Sequence, residues 1–398
     1  MDEFILRYIF NYLNPIELWR ASLTCHSWMN ISDSVWKTFK SLDGISFLTF
    51  KRRSDISLKQ YCISAWKCKI ENSGMILVAG ARLENFAKPD HPCFVFKDST
   101  VDLTIRSISN DGFPQNLSAT STALSSSGSV YCVGGWIEDV STQKSFVSSF
   151  NGQMSGWTSG PILPKALCFG ACASLSDGSL FISGGGLTMW QGSTVFSSCY
   201  LLQEAVSVES EPYQHWSSSP SPMLSSRCGH TAITLLNGNV LVCGGYGGQT
   251  SYLSSTEIFD PQRNQWVAAA DMRARRTGLG ASLGPCGAVY ALGGSADGLT
   301  GDESMERYDP REGKWRTCCS MKLKRCYYSA CFGGSGILYA MGGVDVFDNP
   351  HLNLVHCFEW YDRRADAWSS IPLALRDLVN IREFDTHRAD HQMIYLMQ

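Results

Sequence analysis

The sequence has no long apolar run, no excess of positive charge and no secretory leader pattern, and each absence excludes a class of protein. No run of about 18 apolar residues occurs, which argues against a membrane-spanning helix. The formal net charge is −3, so there is no basic footprint for nucleic acid. The chain begins Met1-Asp2-Glu3, acidic where a secretory signal is basic, which predicts a cytoplasmic or nuclear protein, or both.

The sequence also lacks the short motifs that carry catalysis or metal binding. The 16 cysteines include no Cys-x-x-Cys pair, so in a reducing compartment we expect structural thiols rather than zinc ligands or disulfides. The glycine-rich segment 244–248 lacks the Gly-Lys-Ser/Thr of a phosphate loop, and no Gly-x-Ser-x-Gly or His-Glu-x-x-His motif appears. We therefore expect no cofactor, no metal site and no enzymatic activity.

What the chain does contain is glycine and tryptophan, 36 and 12 of its 398 residues. Hydrophobic residues make up 44% and charged residues 17%, which is typical of a folded chain rather than a disordered one. The length accommodates a small module together with one large repeat architecture.

The first forty residues have the pattern of three short helices. Phe4, Ile5, Ile9, Phe10 and Leu13 recur at helical spacing. Asn14 can cap a second helix with Pro15 at its first position, and Leu18, Leu23, Trp28 and Trp36 continue the apolar pattern. So small a module cannot bury this much apolar surface internally, which predicts that it packs on the next domain or binds a partner.

This segment resembles the F-box family from Asp2 to Pro15 and then at Leu18, Leu23, Cys25, Trp28 and Trp36. The resemblance implies a helical module at residues 1–43 that binds a Skp-type adaptor. The adaptor-binding residues that it implies are Phe4, Ile5, Ile9, Phe10, Leu13, Pro15, Leu18, Leu23, Trp28 and Trp36. The alternative is a small helical cap on the domain that follows.

The rest of the chain repeats itself. A hydrophobic run that ends in two glycines occurs at residues 130–135, 180–185, 240–245, 289–294 and 338–343, and the first glycines lie 50, 60, 49 and 49 residues apart. Downstream, an aromatic residue precedes a tryptophan by seven residues, as in Phe259 and Trp266. The period and the paired glycines resemble the Kelch repeat, which implies a mainly β propeller with one four-stranded sheet per repeat.

We expect the propeller to span residues 44–398 and to close with strands from both of its ends. Residues 393–397 look like the strand before a glycine pair, and residues 45–50 and 56–60 could supply the outer strands of the same blade. This arrangement predicts seven blades. Six blades followed by a trailing segment is the alternative.

One charged residue recurs in fixed register. Arg227, Arg276 and Arg325 each lie 17 residues before the first glycine of their pair, which places them at the same rim of the central channel. In similar Kelch receptors such arginines face the substrate, and arginine suits paired hydrogen bonds to carboxylates. We therefore predict target binding by these arginines with Tyr327, Tyr246 and Trp136 as aromatic neighbours. The alternative role for the arginines is hydrogen bonding between blades.

The two resemblances together imply the substrate-recognition adaptor of a cullin–RING E3 ubiquitin ligase. The F-box would bind the Skp-type adaptor, and the propeller would bind an unidentified target protein. The alternative is a Kelch scaffold for cytoskeletal or signalling proteins without ubiquitination. A propeller oxidase would need converging histidine and tyrosine ligands, and the eight histidines show no such cluster in the sequence.

Overall fold

The computed structural model describes most of the repeat region. The described residues are 75–79, 93–97, 105–107, 117–125, 129–137, 140–149, 156–188, 194–203, 216–217, 220–348, 351–355, 358–371 and 392–396. The contacts divide the chain between Ser73 and Gly74, and every described residue belongs to the second unit. The helical module, the predicted boundary at residues 43 and 44 and the predicted strands at 45–50 and 56–60 lie outside the described residues.

The described residues form six four-stranded antiparallel sheets and two short hairpins. The closing sheet begins with β1 (Met75–Ala79), β2 (Cys93–Lys97) and β3 (Ile105–Ser107). Blade 1 contains β4 (Ser121–Leu124), β5 (Ser129–Val133), β8 (Ser145–Ser149) and β9 (Thr158–Ser159), with the hairpin β6 (Trp136–Ile137) and β7 (Val140–Ser141) between its second and third strands. Blade 2 contains β10 (Ala171–Ser174), β11 (Leu180–Ser183), β12 (Cys199–Leu202) and β13 (Trp216–Ser217).

The remaining blades follow the same order along the chain. Blade 3 contains β14 (Thr231–Thr234), β15 (Val240–Cys243), β16 (Thr256–Asp260) and β17 (Gln265–Ala269). Blade 4 contains β18 (Gly280–Leu283), β19 (Val289–Leu292), β20 (Met305–Asp309) and β21 (Lys314–Cys318). Blade 5 contains β22 (Ser329–Phe332), β23 (Ile337–Met341), β26 (Phe358–Asp362) and β27 (Ala367–Ile371), with the hairpin β24 (Val344–Asp348) and β25 (His351–Leu354) inserted. The last strand is β28 (Gln392–Leu396).

The ring is closed by strands that lie far apart in the sequence. β28 pairs with β1, so that Met75 lies opposite Leu396, and the sheet order is β28-β1-β2-β3. The innermost strands β28, β4, β10, β14, β18 and β22 contact one another in that order around the axis. The mainly β propeller is thus confirmed, but the prediction of seven blades is wrong. Within the part of the chain that the structure describes, five blades are continuous in sequence and the closing sheet makes a sixth.

The paired glycines end the second strand of each blade because the next blade lies against them. Gly244 and Gly245 have φ angles of 70° and 102°, a region that side chains with a Cβ rarely adopt. A Cβ on Gly244 would lie 2.5 Å from the carbonyl oxygen of Arg276, in the connection to blade 4. The close approach also allows a hydrogen bond between the blades, in which Gly245 N–H donates to Arg276 O at 2.7 Å.

Aromatic pairs on the two outer strands fill the space between blades. Phe259 lies opposite Trp266, Tyr308 opposite Trp315, and Tyr361 opposite Trp368. Their ring centroids are 5.0, 5.2 and 5.4 Å apart. The tryptophan Nε1–H groups donate to carbonyl oxygens on the connection that leads into their own blade, for example Trp368 to Cys319 O at 3.0 Å. The spacing of seven residues seen in the sequence is thus the span of a tight hairpin that places both rings on one face.

Eight described cysteines are buried within the blades: Cys132, Cys168, Cys172, Cys199, Cys228, Cys243, Cys326 and Cys331. Burial raises the pKa of the Cys172, Cys228 and Cys243 thiols to about 12. These groups therefore remain protonated and pack as small apolar side chains at neutral pH.

The arginines predicted at the channel rim are buried inside blades 3, 4 and 5. The side chains of Arg227, Arg276 and Arg325 have no exposed surface, and each pairs with a glutamate on the third strand of its own blade: Glu257, Glu306 and Glu359. The Arg227 pair has an N–O distance of 2.5 Å and the Arg276 pair one of 3.0 Å. Nη1 of each arginine also donates to the carbonyl of its blade's first paired glycine, at 2.7–2.8 Å.

The backbone of the same residues holds the preceding blade. Arg227 N–H donates to Phe196 O at 3.0 Å, and Arg227 O accepts from Gly185 N–H at 2.9 Å. Arg276 and Arg325 repeat both bonds with blades 3 and 4. Each arginine therefore links two blades, through its backbone to one and through its guanidinium to the other. This geometry agrees with the structural role that the sequence left open as the alternative.

Blades 1 and 2 use an apolar pair at the equivalent positions. Leu117 and Leu167 lie 17 residues before Gly134 and Gly184, where the later blades have arginine. The position opposite the second strand that holds Glu257 in blade 3 holds Phe146 in blade 1 and Tyr200 in blade 2. The two sites thus change together: both hold charged residues in blades 3 to 5, and neither does in blades 1 and 2. A buried charge is stable only beside an opposite charge, so one site cannot change alone.

We expect the Arg276–Glu306 pair to behave as a unit in unfolding experiments. Glu306→Ala removes the buried carboxylate of the pair and leaves the guanidinium only its longer contact with the partly exposed Asp302, at 3.3 Å. It should lower the free energy of unfolding by about 3 kcal/mol. The double variant R276L/E306Y copies the Leu167–Tyr200 pair of blade 2 and should be more stable than E306A. Urea denaturation of both variants and of R276L measures the coupling. If the losses in free energy of unfolding of E306A and R276L add up to the loss of the double variant, the two residues do not act as a pair.

His230 forms a second link between blades. Its Nε2 lies 2.9 Å from Ser183 Oγ of blade 2, whereas Nδ1 is buried without a hydrogen-bond partner in the part of the chain that the structure describes. Burial, and then the positive charge of Arg227, hold the pKa of His230 well below its usual range. The imidazole is therefore neutral in the folded protein at neutral pH.

The propeller should lose stability as the pH falls through the ordinary histidine range. His230 takes up a proton near pH ~6.5 in the unfolded chain but stays neutral in the folded one, so acid favours unfolding. The loss approaches about 1.4 kcal/mol for each pH unit below ~6.5. Urea denaturation at about pH 7.5 and about pH 5.5 measures it, with H230Q as the comparison. An equal pH dependence in H230Q would contradict this account.

Candidate functional site

One end of the central channel is ringed by five equivalent residues, which we call the channel mouth: Ala119, Phe169, Gly229, Gly278 and Tyr327. Each lies two residues after the leucine or arginine that links its blade to the preceding one. All five have positive φ angles, between 51° and 61°. The channel mouth is therefore a structural repeat whose backbone conformation is shared by blades 1 to 5, although the side chains differ.

Backbone hydrogen bonds connect these residues around the mouth. Phe169 N–H donates to Ala119 O at 2.9 Å, and Gly229 N–H donates to Phe169 O at 2.8 Å. Gly278 N–H then donates to Gly229 O at 2.8 Å, and Tyr327 N–H to Gly278 O at 2.7 Å. Each bond crosses from one blade to the next, and the three middle residues, Phe169, Gly229 and Gly278, bond a neighbour on both sides.

Two large side chains meet over the mouth. The rings of Phe169 and Tyr327 have centroids 6.0 Å apart and an interplanar angle of 58°. Gly229 and Gly278 occupy the two blades between them and leave the space open, and a Cβ on Gly278 would lie 2.7 Å from the Tyr327 ring. Bulky residues with positive φ are strained, and such strain gathers at functional sites. The half-buried aromatic pair is thus the best candidate for a contact surface at this face.

Below the mouth, the channel has small side chains. It holds a volume of about 140 Å³ between the first strands of blades 1 to 5, with Ser121, Cys172, Thr231, Ala281 and Ser329 among its lining residues. The described lining contains one titratable imidazole, His230, which is already bonded to Ser183. The candidate contact surface is therefore the mouth rather than the channel below it.

The structure separates the residues that the sequence grouped as a target-binding set. Tyr327 lies at the mouth, and its Oη donates to Gly298 O at 3.3 Å. Tyr246 is buried against Tyr252 at a ring distance of 5.3 Å, and half-buried Trp136 exchanges backbone hydrogen bonds with Ser118. The guanidinium groups of the three linking arginines are enclosed in different blades. Target binding by this set stays a prediction, and burial leaves the guanidinium groups no surface for direct contact.

Sequence reasoning missed Phe169. The residue lies in the same repeat column as Tyr327, two positions after the linking residue, and aligning the five glycine pairs places both in that column. Its contact with Tyr327 joins residues 158 positions apart (327 − 169 = 158), and no local pattern shows such a contact. The predicted adaptor-binding residues at the N-terminus lie outside the described residues.

None of the residues with an assigned position forms a group of three or more histidine, cysteine, aspartate or glutamate side chains suited to a metal ion. Among the same residues, no helix is long and apolar enough to cross a bilayer.

Comparison with known proteins agrees with the two resemblances read from the sequence. The model of the F-box domain matches residues 1–40. The model of the Kelch motif matches residues 227–273, 281–322 and 324–372, which cover blades 3, 4 and 5. The matched blades are those with the buried arginine–glutamate pair.

The fold has a counterpart among solved structures, although the sequence has none among curated proteins. A structure described as "Structure of YjhT" has a TM-score of 0.59, covers 75% of this chain and 95% of its own, and is 10% identical. At that identity the likeness shows the fold alone. No curated protein matches the sequence. With an F-box domain at residues 1–40 and Kelch motifs within residues 227–372, the chain matches the F-box/Kelch-repeat family.

Proposed function

We propose that this protein is the substrate-recognition adaptor of a cullin–RING E3 ubiquitin ligase. The observation that supports the proposal is the presence of an F-box domain and a Kelch propeller in one chain. F-box domains usually bind Skp-type adaptors, and Kelch propellers bind target proteins. The chain itself does no chemistry in this role. It raises the concentration of the target near the ubiquitin-carrying enzyme.

The propeller is suited to holding a partner rather than transforming one. Its core is stabilised by buried ion pairs, aromatic pairs and backbone bonds between blades, so the connections at the channel mouth are presented on a rigid scaffold. The half-buried rings of Phe169 and Tyr327 supply apolar contact area at the centre of that face. Large aromatic side chains at the centre of an interface often carry much of the binding energy.

We expect the variant L13A/P15A to lose the Skp-type adaptor in co-purification while its propeller unfolds at the parent temperature. Both residues belong to the F-box match, and their replacement removes apolar surface and the proline that the sequence predicts at the first position of a helix. Leu236→Ala is the matched control, because this leucine is 68% exposed in a turn of the propeller. It should leave both the adaptor contact and the melting temperature unchanged.

The outcome separates the proposal from a Kelch scaffold that acts without ubiquitination. Capture of the adaptor and of a cullin by the parent chain, with loss of both in L13A/P15A, supports the ligase role. If the parent chain captures neither one while its propeller is folded, the ligase assignment is wrong and the scaffold remains.

A further inference from the structure

Exposed cations cluster on two neighbouring connections at the channel-mouth face, which we call the basic loops: residues 271–275 before blade 4 and residues 320–324 before blade 5. Arg273 and Arg275 are exposed on the first, and Lys322 and Lys324 are exposed at the equivalent positions of the second. They lie three positions and one position before the buried Arg276 and Arg325. The equivalent pairs are Pro164 with Ala166 before blade 2 and Leu224 with Ser226 before blade 3, so among these four connections a cation stands at both positions only before blades 4 and 5. Lys165, between the two positions before blade 2, lies over the Phe196 ring.

The basic loops are held rigidly from beneath by buried glutamates. Arg273 N–H donates to Glu306 Oε2 at 2.8 Å and Ala274 N–H to Glu306 Oε1 at 3.2 Å. Lys322 N–H donates to Glu359 Oε1 at 2.9 Å. Each glutamate thus accepts hydrogen bonds from the backbone of its loop and also forms the ion pair with its arginine. Because these loops are fixed before any partner arrives, little ordering is needed on binding.

Within the basic loops themselves, a single carboxylate stands beside the four exposed cations. Asp271 is the acidic residue of the first basic loop, and the second contains none. Asp302 accepts from Arg276 and from Ser304, and Asp297 accepts from the N–H groups of Leu299 and Thr300. Asp302 is thus tied to the linking Arg276, and Asp297 to its own loop. Glu303 adjoins the second basic loop, because its carbonyl oxygen accepts from Met321 N–H at 2.9 Å. The two basic loops themselves carry a net formal charge of +3 (4 − 1 = 3) in a chain whose formal charge is −3.

The aromatic pair adjoins this charge. Tyr327 follows the second basic loop directly after Arg325 and Cys326, and its ring lies on Gly278, which follows the first. Leu323, between the two lysines, is 41% exposed. The face thus combines fixed cations with an aromatic contact that is continuous with both loops.

We infer that the basic loops and the Phe169–Tyr327 pair together bind an acidic peptide segment that carries an apolar side chain. Carboxylates of the segment pair with Arg273, Arg275, Lys322 and Lys324, and its apolar side chain packs on the aromatic pair. Two short loops are a small patch on an acidic chain, unlike the extended basic stripe that tracks a nucleic-acid backbone. The biological role, recognition of the ligase target, rests on the proposed function.

Fluorescence anisotropy of the full chain with labelled synthetic peptides tests the inference. The probe is a short peptide rich in aspartate and glutamate with one central phenylalanine. The comparisons are a copy with the acids replaced by their amides and a copy with serine for phenylalanine. We expect the acidic peptide to bind, its affinity to fall with added salt, and both copies to bind about ten-fold or more weakly.

Protein variants locate the contact. The variant R273S/R275S/K322S/K324S should bind the acidic peptide about ten-fold or more weakly than the parent. The variant F169A should also bind it more weakly, but with the salt dependence of the parent. The matched control R263S/K314S/R363S/R364S removes the same charge from exposed positions at the turns between outer strands, and it should bind as the parent does. Thermal melts show whether each variant is folded. If F169A is unstable, F169L keeps a side chain at the strained position.

Several results would overturn the inference: failure of the acidic peptide to bind the folded parent, equal weakening in the control variant, or tighter binding of a single-stranded oligonucleotide of equal charge than of the peptide. None of these measurements involves the adaptor. Peptide binding by a chain that captures no adaptor would therefore refute the ligase role and leave the peptide site standing.

Discussion

The crossing between the paired glycines of one blade and the linking residue of the next is the contact on which the propeller depends. Gly245 N–H bonds the carbonyl of Arg276, and the approach is so close that no side chain fits on Gly244. With its backbone held at this crossing, Arg276 has a guanidinium that is fully buried inside blade 4. Glu306 balances the buried charge and also bonds the loop above it, so one crossing determines the position of a whole connection.

The same crossing positions the channel mouth. Two residues after the linking residue the chain turns in the left-handed conformation and bonds the corresponding residue of the preceding blade. Glycine adopts this conformation without strain, which suits Gly229 and Gly278, whereas Phe169 and Tyr327 do so at a cost in backbone energy. The two rings compensate in part through their contact with each other. A rigid frame with two strained aromatic residues over an open centre is a reasonable base for a binding face.

The comparison of blades shows how one position serves two chemistries. Blades 3 to 5 bury an arginine with a glutamate, and blades 1 and 2 bury leucine with an aromatic residue at the same two sites. A buried charge is tolerated only with its partner, so a single change at either site leaves an unpaired ion or a void. The glutamates of blades 3, 4 and 5 all accept from the backbone of the loop before their blade, and two of these three loops are basic.

Much of this protein could be predicted from the sequence alone, because glycine pairs and aromatic–tryptophan spacings report local strand and hairpin geometry. They predicted the repeat and the mainly β propeller, and the apolar pattern of the first forty residues carried the resemblance to the F-box. The number of blades could not be predicted, since closure depends on strands β28 and β1, some 300 residues apart (392 − 75 = 317). The role of the arginines also required tertiary structure. Register placed them at the rim, but only the packing of the third strand showed a buried carboxylate for each. The meeting of Phe169 and Tyr327 across two glycine-bearing blades was decided by the radius of the closed ring, which no segment of sequence specifies by itself.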